Sequence, residues 1–348
     1  MPTTVVKTIG SAGGRDYATM SLWIAACPAN LVTADEIWEG QLYKDSDFDE
    51  SLSITGITTD ATRYIYLHPA SGQGHTGKAG TGVRLKRTGA IPGTDLIYIN
   101  AKYTIFEGIE ITFGTSSWAQ NFVNIVNVVE DLCVIRRNII HGVPSSVQPP
   151  YGINGIWFSD YSRSVYVVDN IVYGVKSGWT GGCNGISGGG VNGSVYIENN
   201  TVYNCEHGIY HNINSGGLYN NIAVGNPSYD FSIYNPAIAD YNISTDSTAT
   251  GTHSLTGKTA ANQFVSITAG SEDLHLKTGS DAIGKGNNLG STKQVNIDID
   301  AFDRTSVVGL VWDIGAHQKV RSVGRLFCAA NLSGMQSGGQ LFVNPIGA

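Results

Sequence analysis

Short runs of β-branched and aromatic residues, apolar at every second position, recur through the middle of the chain. They share one phrase, a β-branched run, an Asn and a second β-branched run: Cys133-Val-Ile-Arg-Arg-Asn138-Ile-Ile, Tyr166-Val-Val-Asp-Asn170-Ile-Val-Tyr, Val195-Tyr-Ile-Glu-Asn-Asn200-Thr-Val-Tyr, Leu218-Tyr-Asn-Asn221-Ile-Ala-Val and a fading copy, Tyr241-Asn242-Ile. Aligned on the Asn, the copies follow at intervals of 32, 30, 21 and 21 residues. One step upstream, Tyr103-Thr-Ile-Phe-Glu-Gly108-Ile-Glu-Ile fits with Gly108 in the Asn position, 30 residues before Asn138. Alternation by twos predicts strands. Their return at these intervals predicts a winding chain, each strand pairing in parallel with its copy one coil on.

Asn and Gly tolerate the left-handed backbone required at a tight bend between two strands of one coil. Stacked Asn side chains can also bond the amides of the next coil. A β-sandwich would instead need Asn-Gly or Asp-Gly hairpins between its strands. Here the Asn residues lie inside the apolar runs, which argues against it.

The N-terminal stretch has another period. Tyr17, Met20, Trp23, Ile24 and Cys27 fall at helical spacing between Asp16, a candidate N-cap, and Pro28, a stop. They predict one amphipathic helix over the open end of the first coil, which would otherwise expose strand edges and a section of core. Asp35–Tyr43 then supplies the first strand.

The V-x-I-x-N-N-x-V phrase at 195–202 and its copies resemble the pectate-lyase-like right-handed parallel β-helix superfamily. Asp273-Leu-His-Leu-Lys-Thr-Gly-Ser-Asp-Ala-Ile-Gly-Lys-Gly286, with Asp298-Ile-Asp300 and Asp313-Ile-Gly-Ala-His317, resembles the closing segment of many viral and bacterial-surface β-helix proteins. Asp281 stands where that pattern usually has Pro, and Gly284 where it has Asp. The expected fold is all-β: an N-terminal arm and capping helix over 1–34, a single right-handed parallel β-helix over 35–318, and a Gly-rich C-terminal extension over 319–348. The middle part would hold about ten coils, a rod of about 50 Å at ~4.8 Å per coil. The superfamily contains lyases, hydrolases, epimerases and virion proteins without a reaction, so the resemblance implies fold before activity.

Composition agrees with a turn-rich β protein. The 348 residues include 44 Gly and only 10 Pro, 41% are hydrophobic and 14% charged, which disfavours long helices, collagen and disorder. A net charge of −7 gives no general basic surface for nucleic acid. No apolar run has signal-peptide or membrane-spanning length, so no membrane insertion and no export leader are expected in the chain as given. Cys27, Cys133, Cys183, Cys205 and Cys328 are scattered and odd in number, and reduced buried thiols are expected.

Candidate chemistry comes from stacking, which sets residues of equal offset about 4.8 Å apart. The position before the Asn column reads Glu107, Arg137, Asp169, Asn199 and Asn220. One reading is a lyase centre in which Arg137 acts as base or neutralises a uronate while carboxylates hold Ca²⁺. The other is an ion-paired ladder beside a turn, and an Arg between two carboxylates, holding its proton tightly, favours it. The reaction motifs of the resembled enzymes (Asp-Asp with G-H-G and R-I-K, D-P-H, W-i-D-H, R-x-P-x-x-R) do not occur. Tyr210 and His211 form a second acid/base candidate. His207 and His211 would lie about 13 Å apart on a strand, too far to share a metal. Tyr173 and Tyr203, at equal offset in neighbouring coils, together with Tyr151, Trp157 and Trp179 in adjoining insertions, suit sugar stacking or simple stacking of the sheet face.

Two functions follow as expectations. The first is a structural β-helix of a virion or surface assembly, of decoration, fibre or spike type, needing no cofactor. It would sit on a particle surface, contact host glycan and meet other subunits through 319–348. The alternative is a polysaccharide lyase or glycoside hydrolase acting on an acidic polysaccharide, with Ca²⁺ as cofactor if a lyase.

Overall fold

The computed structural model describes residues 1–88, 95–113, 121–125, 132–142, 153–158, 164–176, 182–189, 193–212, 215–306 and 309–320. Among these the strands form three parallel sheets, which the chain visits in a repeating order. The first contains Thr3–Ile9, Glu36–Leu42, Ile65–Pro69, Thr104–Glu107, Cys133–Arg136, Val165–Val168, Ser194–Glu198, Ser215–Tyr219 and Ala239–Asp240. The second runs from Arg84–Arg87 through Glu110–Phe113, Ile139–His141, Ile171–Tyr173, Thr201–Tyr203 and Ile222–Val224 to Ile243–Ser244. The third runs from Leu52–Ile54 through Ile97–Ile99, Asn121–Ile125, Asn154–Phe158, Asn184–Gly189 and His207–Asn212 to Tyr229–Ile233. Parallel sheets stacked this way, with few helices, are consistent with a parallel β-helix.

Period-two alternation builds the interior. Along the first sheet, Leu67, Phe106, Ile135, Val167, Ile197 and Leu218 stand in one register column, all fully buried in a single apolar cluster. Cys133, Cys183 and Cys205 belong to that cluster, none of them in a disulfide, and burial pushes the Cys133 and Cys205 thiols up to about 12.

The bend between the first and second sheets divides its work between adjacent residues. The left-handed residue is Gly108, Arg137, Asp169, Asn199, Asn220 and Tyr241 in successive repeats, at φ 73°, 53°, 55°, 55°, 58° and 58°. The Asn that follows it is conventional in backbone and turns its amide inward. Asn138 N–H donates to Asn170 Oδ1, Asn170 to Asn200, Asn200 to Asn221 and Asn221 to Asn242, each at 2.9–3.0 Å. The ladder starts at Ile109 N–H on Asn138 Oδ1 and ends at Asn242 N–H on Ser254 Oγ. Gly108 therefore aligns with Arg137, not with Asn138, a shift of one residue from the sequence alignment.

Three further expectations change. The first strand of the stack is Thr3–Ile9, paired along its length with Glu36–Leu42, so the N-terminal segment is a rung and not an arm. The helix is shorter than 16–27: it spans Met20–Ala25, and its N-cap is Thr19, whose side chain accepts from Leu22 N–H. Asp16 is occupied elsewhere, accepting from Thr8 N–H and Oγ1. Met20 and Trp23 are fully buried in the interior cluster, with Trp23 6.4 Å from Trp38.

The stack also stops early. The longest sheet has nine strands among the described residues, and pairing ends near Ser244 and Leu255 rather than at 318. Residues 260–306 and 309–318, with a short helix Ala260–Gln263 and the antiparallel pair Phe264–Ser266 and Asp273–Leu276, instead cover the outside of the stack. Phe264, Leu274, Leu276, Ala282, Ile299, Ile314 and Ala316 pack on Ile139, Ile171, Tyr173, Ile222, Val224 and Ile243, the outer face of the second sheet. That outer face is apolar where a solvated one would be polar, so it requires a cover.

Candidate functional site

The covering segment runs back along the left-handed corner and takes up its polar side chains one after another. Asn220 Nδ2 donates to Asn287 O and its Oδ1 accepts from Asn287 N–H, both at 2.8 Å. Asn199 Nδ2 donates to Val295 O at 2.9 Å. Asp169 Oδ1 lies 2.7 Å from Arg304 Nη1, with both side chains wholly buried. Arg304 also donates to Val295 O, Gly315 O and Ala316 O and stands over the Trp312 ring. Arg137 Nη2 reaches Gln294 Oε1 at 3.1 Å.

The predicted column Glu107, Arg137, Asp169 is thus only partly assembled. Glu107 lies in register with Arg136, one residue ahead of the corner column, and accepts from Arg136 at 2.6 Å, from Tyr66 at 3.1 Å and from Arg137 Nη2. Burial opposes its ionisation, yet the Arg137 and Arg136 charges hold it below the usual carboxylate range. Asp169 is paired with Arg304. Burial outweighs that pairing and pushes its carboxyl up to about 8.

Tyr210 and His211 do not meet as an acid/base pair. They alternate across the third sheet, with His211 fully buried in an inner column shared with Phe158, Gly188 and Ile233. Among the described residues neither ring nitrogen of His211 has a hydrogen-bond partner, and burial lowers it to about 4. The aromatic set does not form an exposed run either. Tyr173 is buried beneath the covering segment and stacked on His141 at 5.1 Å, and Tyr203 meets Phe264 edge-on at 6.1 Å. Trp157 is half-buried on the third sheet, in register with Ser187. Tyr151 and Trp179 lie outside the described residues, as does the extension beyond Val320.

Sequence reasoning missed three sites. Glu198, on the outer face of the first sheet, is 8% exposed, and burial pushes it up to about 7. The stacked rings of Tyr166 and Tyr196, 4.5 Å apart, share that face.

At the second, ligand atoms of His275, Asp300 and His317 converge within 4.8 Å. Their hydrogen bonds form a charged network. His275 gives Nδ1–H to Asp273 at 2.5 Å and Nε2–H to Asp300 at 3.1 Å, so both nitrogens carry protons. Burial opposes that charge, but the two carboxylates outweigh it and raise His275 to about 9. His317 accepts from Leu276 N–H through Nδ1, which leaves its proton on Nε2, facing Asp300 at 3.7 Å. Burial and the His275 charge lower it to about 4. With its protons so placed the cluster acts as a charged clasp, and an ion would enter it by displacing one proton from each ring. It closes on the stack at Gly77, where an added Cβ would lie 2.3 Å from His275 Nε2, and at Lys78, 3.8 Å from Asp273.

The third is a cleft of about 420 Å³ where the covering segment passes the last corner, lined by Tyr241, Thr252, His253, Ser254, Leu255, Gly284, Lys285, Gly286 and Val311. Asp240 Oδ2 holds His253 Nδ1 at 2.7 Å, and its Oδ1 accepts from the His253 and Tyr241 backbone N–H groups at 2.8 Å. Tyr241 stacks on the imidazole at 4.4 Å, the planes 8° apart. The sequence signal available was a Tyr in a column otherwise filled mostly by Gly, Asn and Asp. Comparison of the chain with models of protein families, with curated proteins and with solved structures finds no match in any of the three.

Proposed function

We propose that the chain is a right-handed parallel β-helix of the pectate-lyase-like kind that serves as a structural element of a virion or surface assembly and contacts glycan on its outside. The hand follows the near-universal right-handedness of parallel β-crossovers. In this reading the Met20–Ala25 helix closes the first rung, and 319–348 meets neighbouring subunits.

The observation that carries the reading is the use made of the corner column. Its charged and amide side chains, from Arg137 to Asn220, are spent on the residues 287–304 that lie over them. A reaction centre there would need at least one of those groups free to meet a substrate. An Asn-laddered interior and a sealed outer face favour a rigid, protease-resistant body.

The alternative, a lyase or hydrolase acting on an acidic polysaccharide, draws support from Glu198. A carboxyl raised to about 7 suits a general acid, and aromatic rings adjoin it. Incubation with pectate, alginate and other acidic glycans tests both readings. The structural one expects intact polymer and glycan retention. Accumulating unsaturated ends or new reducing ends, lost in Glu198→Gln, would replace it with the enzyme.

A further inference from the structure

We propose that the cleft beside Tyr241 and His253 is a binding subsite for a sugar acid, a ring bearing a carboxylate next to free hydroxyls. The inference rests on the glycan contact proposed above and names the class of sugar. Four independent features converge on it.

The first is strain. Tyr241 is left-handed at φ 58°, a conformation that costs a bulky side chain of order 1–3 kcal/mol and concentrates at functional sites. Its counterparts in the column are Gly108, Asp169, Asn199 and Asn220, which adopt it readily, and Arg137, which is held by Glu107 and Gln294.

The second is preorganisation. Asp240 fixes His253 at Nδ1 and at its backbone N–H, and Tyr241 fixes the ring plane. The carboxylate accepts from Nδ1–H, so the remaining nitrogen, Nε2, is the free one. It has no partner among the described residues, and the side chain is 55% exposed. An imidazole so held presents Nε2 to a sugar hydroxyl as a fixed hydrogen-bonding atom.

The third is charge. Lys285 lines the same cleft, and no carboxylate lies within ion-pair distance of its ammonium among the described residues.

The fourth is shape. The cleft's volume falls in the ~300–1,000 Å³ range of small-ligand sites. Leu255 and the 52%-exposed Val311 give it an apolar wall, against which the C–H face of a sugar can pack. A cation for a carboxylate, a fixed ring nitrogen for a hydroxyl and an apolar wall together fit a uronate better than a phosphate or a neutral sugar.

Calorimetric titration of the full chain with galacturonate and glucuronate oligosaccharides, with galactose and glucose oligosaccharides, and with inorganic phosphate tests this. Uronates should bind, with at least a tenfold loss in Lys285→Glu and a comparable loss in His253→Ala, while thermal unfolding of Lys285→Glu stays unchanged. Tyr241→Gly, which relieves the backbone, should lose affinity without losing stability. Uronate binding insensitive to Lys285 and His253 overturns the cleft assignment and leaves glycan contact standing elsewhere. Equal binding of neutral sugars, or equal competition by phosphate, overturns the sugar-acid assignment. Absence of binding by any glycan overturns both this inference and the glycan contact on which it rests.

Discussion

Arg304 Nη1 and Asp169 Oδ1 meet at 2.7 Å with neither side chain exposed, although 135 residues of chain separate them. The pair joins the covering segment to the middle of the stack. Above pH 8, where Asp169 is ionised, removing one partner leaves the other charge buried and alone.

At pH 9, Arg304→Met and Asp169→Asn should therefore each destabilise by about 3–5 kcal/mol, the usual cost of breaking a buried pair. The double variant should cost clearly less than the two single losses added together, because no stranded charge remains. Urea denaturation of the four proteins gives the coupling energy directly. Strict additivity would show that the two groups do not act as a pair.

Asn200 should be the most sensitive kind of position in the ladder. Its Oδ1 accepts from both the N–H and the Nδ2 of Asn170, and its Nδ2 donates to Val167 O at 2.7 Å and to Asn221 Oδ1. Asn200→Ala orphans buried groups on both neighbours, each costing about 1–3 kcal/mol. Asn242 stands at the ladder's end: its Oδ1 takes the same two bonds from Asn221, but its Nδ2 meets Leu218 O and no further ladder Asn among the described residues, so Asn242→Ala should cost less. Equal losses at the two positions in chemical denaturation would contradict the ladder's directional linkage.

The ladder was legible in the sequence because everything that makes it is local: an Asn, its two apolar flanks, and a repeat. Its register was misjudged at one point for an equally physical reason. Gly108 satisfies the left-handed bend without an Asn after it, so Ile109 stands in the Asn position and Glu107 slips opposite Arg136. The covering segment left no such trace. Its contacts to the corner span 67 to 157 residues and follow no period, and Asp-Ile-Asp and Asp-Ile-Gly-Ala read equally well as further coils. For the same reason Tyr173 and Tyr203 looked like exposed rings: period two shows which face a side chain takes, not what later lies over it. The Asp240–His253 pair was hidden by a 13-residue separation across a bend.

The clasp should weaken at alkaline pH. His275 is raised to about 9 in the folded chain, above the ~6.5 of an unfolded histidine. Its contribution is fully present below about 6.5 and is lost as pH rises through 9. Hydrogen exchange of residues 273–318 should accelerate between pH 8 and 10 beyond the intrinsic base-catalysed rate, while the Asn170–Asn221 ladder stays protected. Gly77→Ala, whose Cβ would overlap His275 and Asp300, should produce the same local opening at neutral pH. Uniform loosening of stack and cover together would mean that the clasp does not set the cover's local stability.

His211 carries the opposite dependence. It stands in an apolar inner column, with no partner on either nitrogen among the described residues, and is lowered to about 4, so the folded chain keeps it neutral while the unfolded chain protonates it near 6.5. Stability is then unaffected above about pH 6.5 and falls as the pH drops toward 4, by of order 3 kcal/mol for a shift of this size. His211→Leu removes two unpaired polar atoms from the core and the titration with them. The variant should melt higher than the parent at pH 7, and the gap should widen at pH 4.5. A gap that stays constant between those two pH values would mean that His211 is not the group that titrates, and that another buried histidine, His317 at about 4, carries the acid sensitivity.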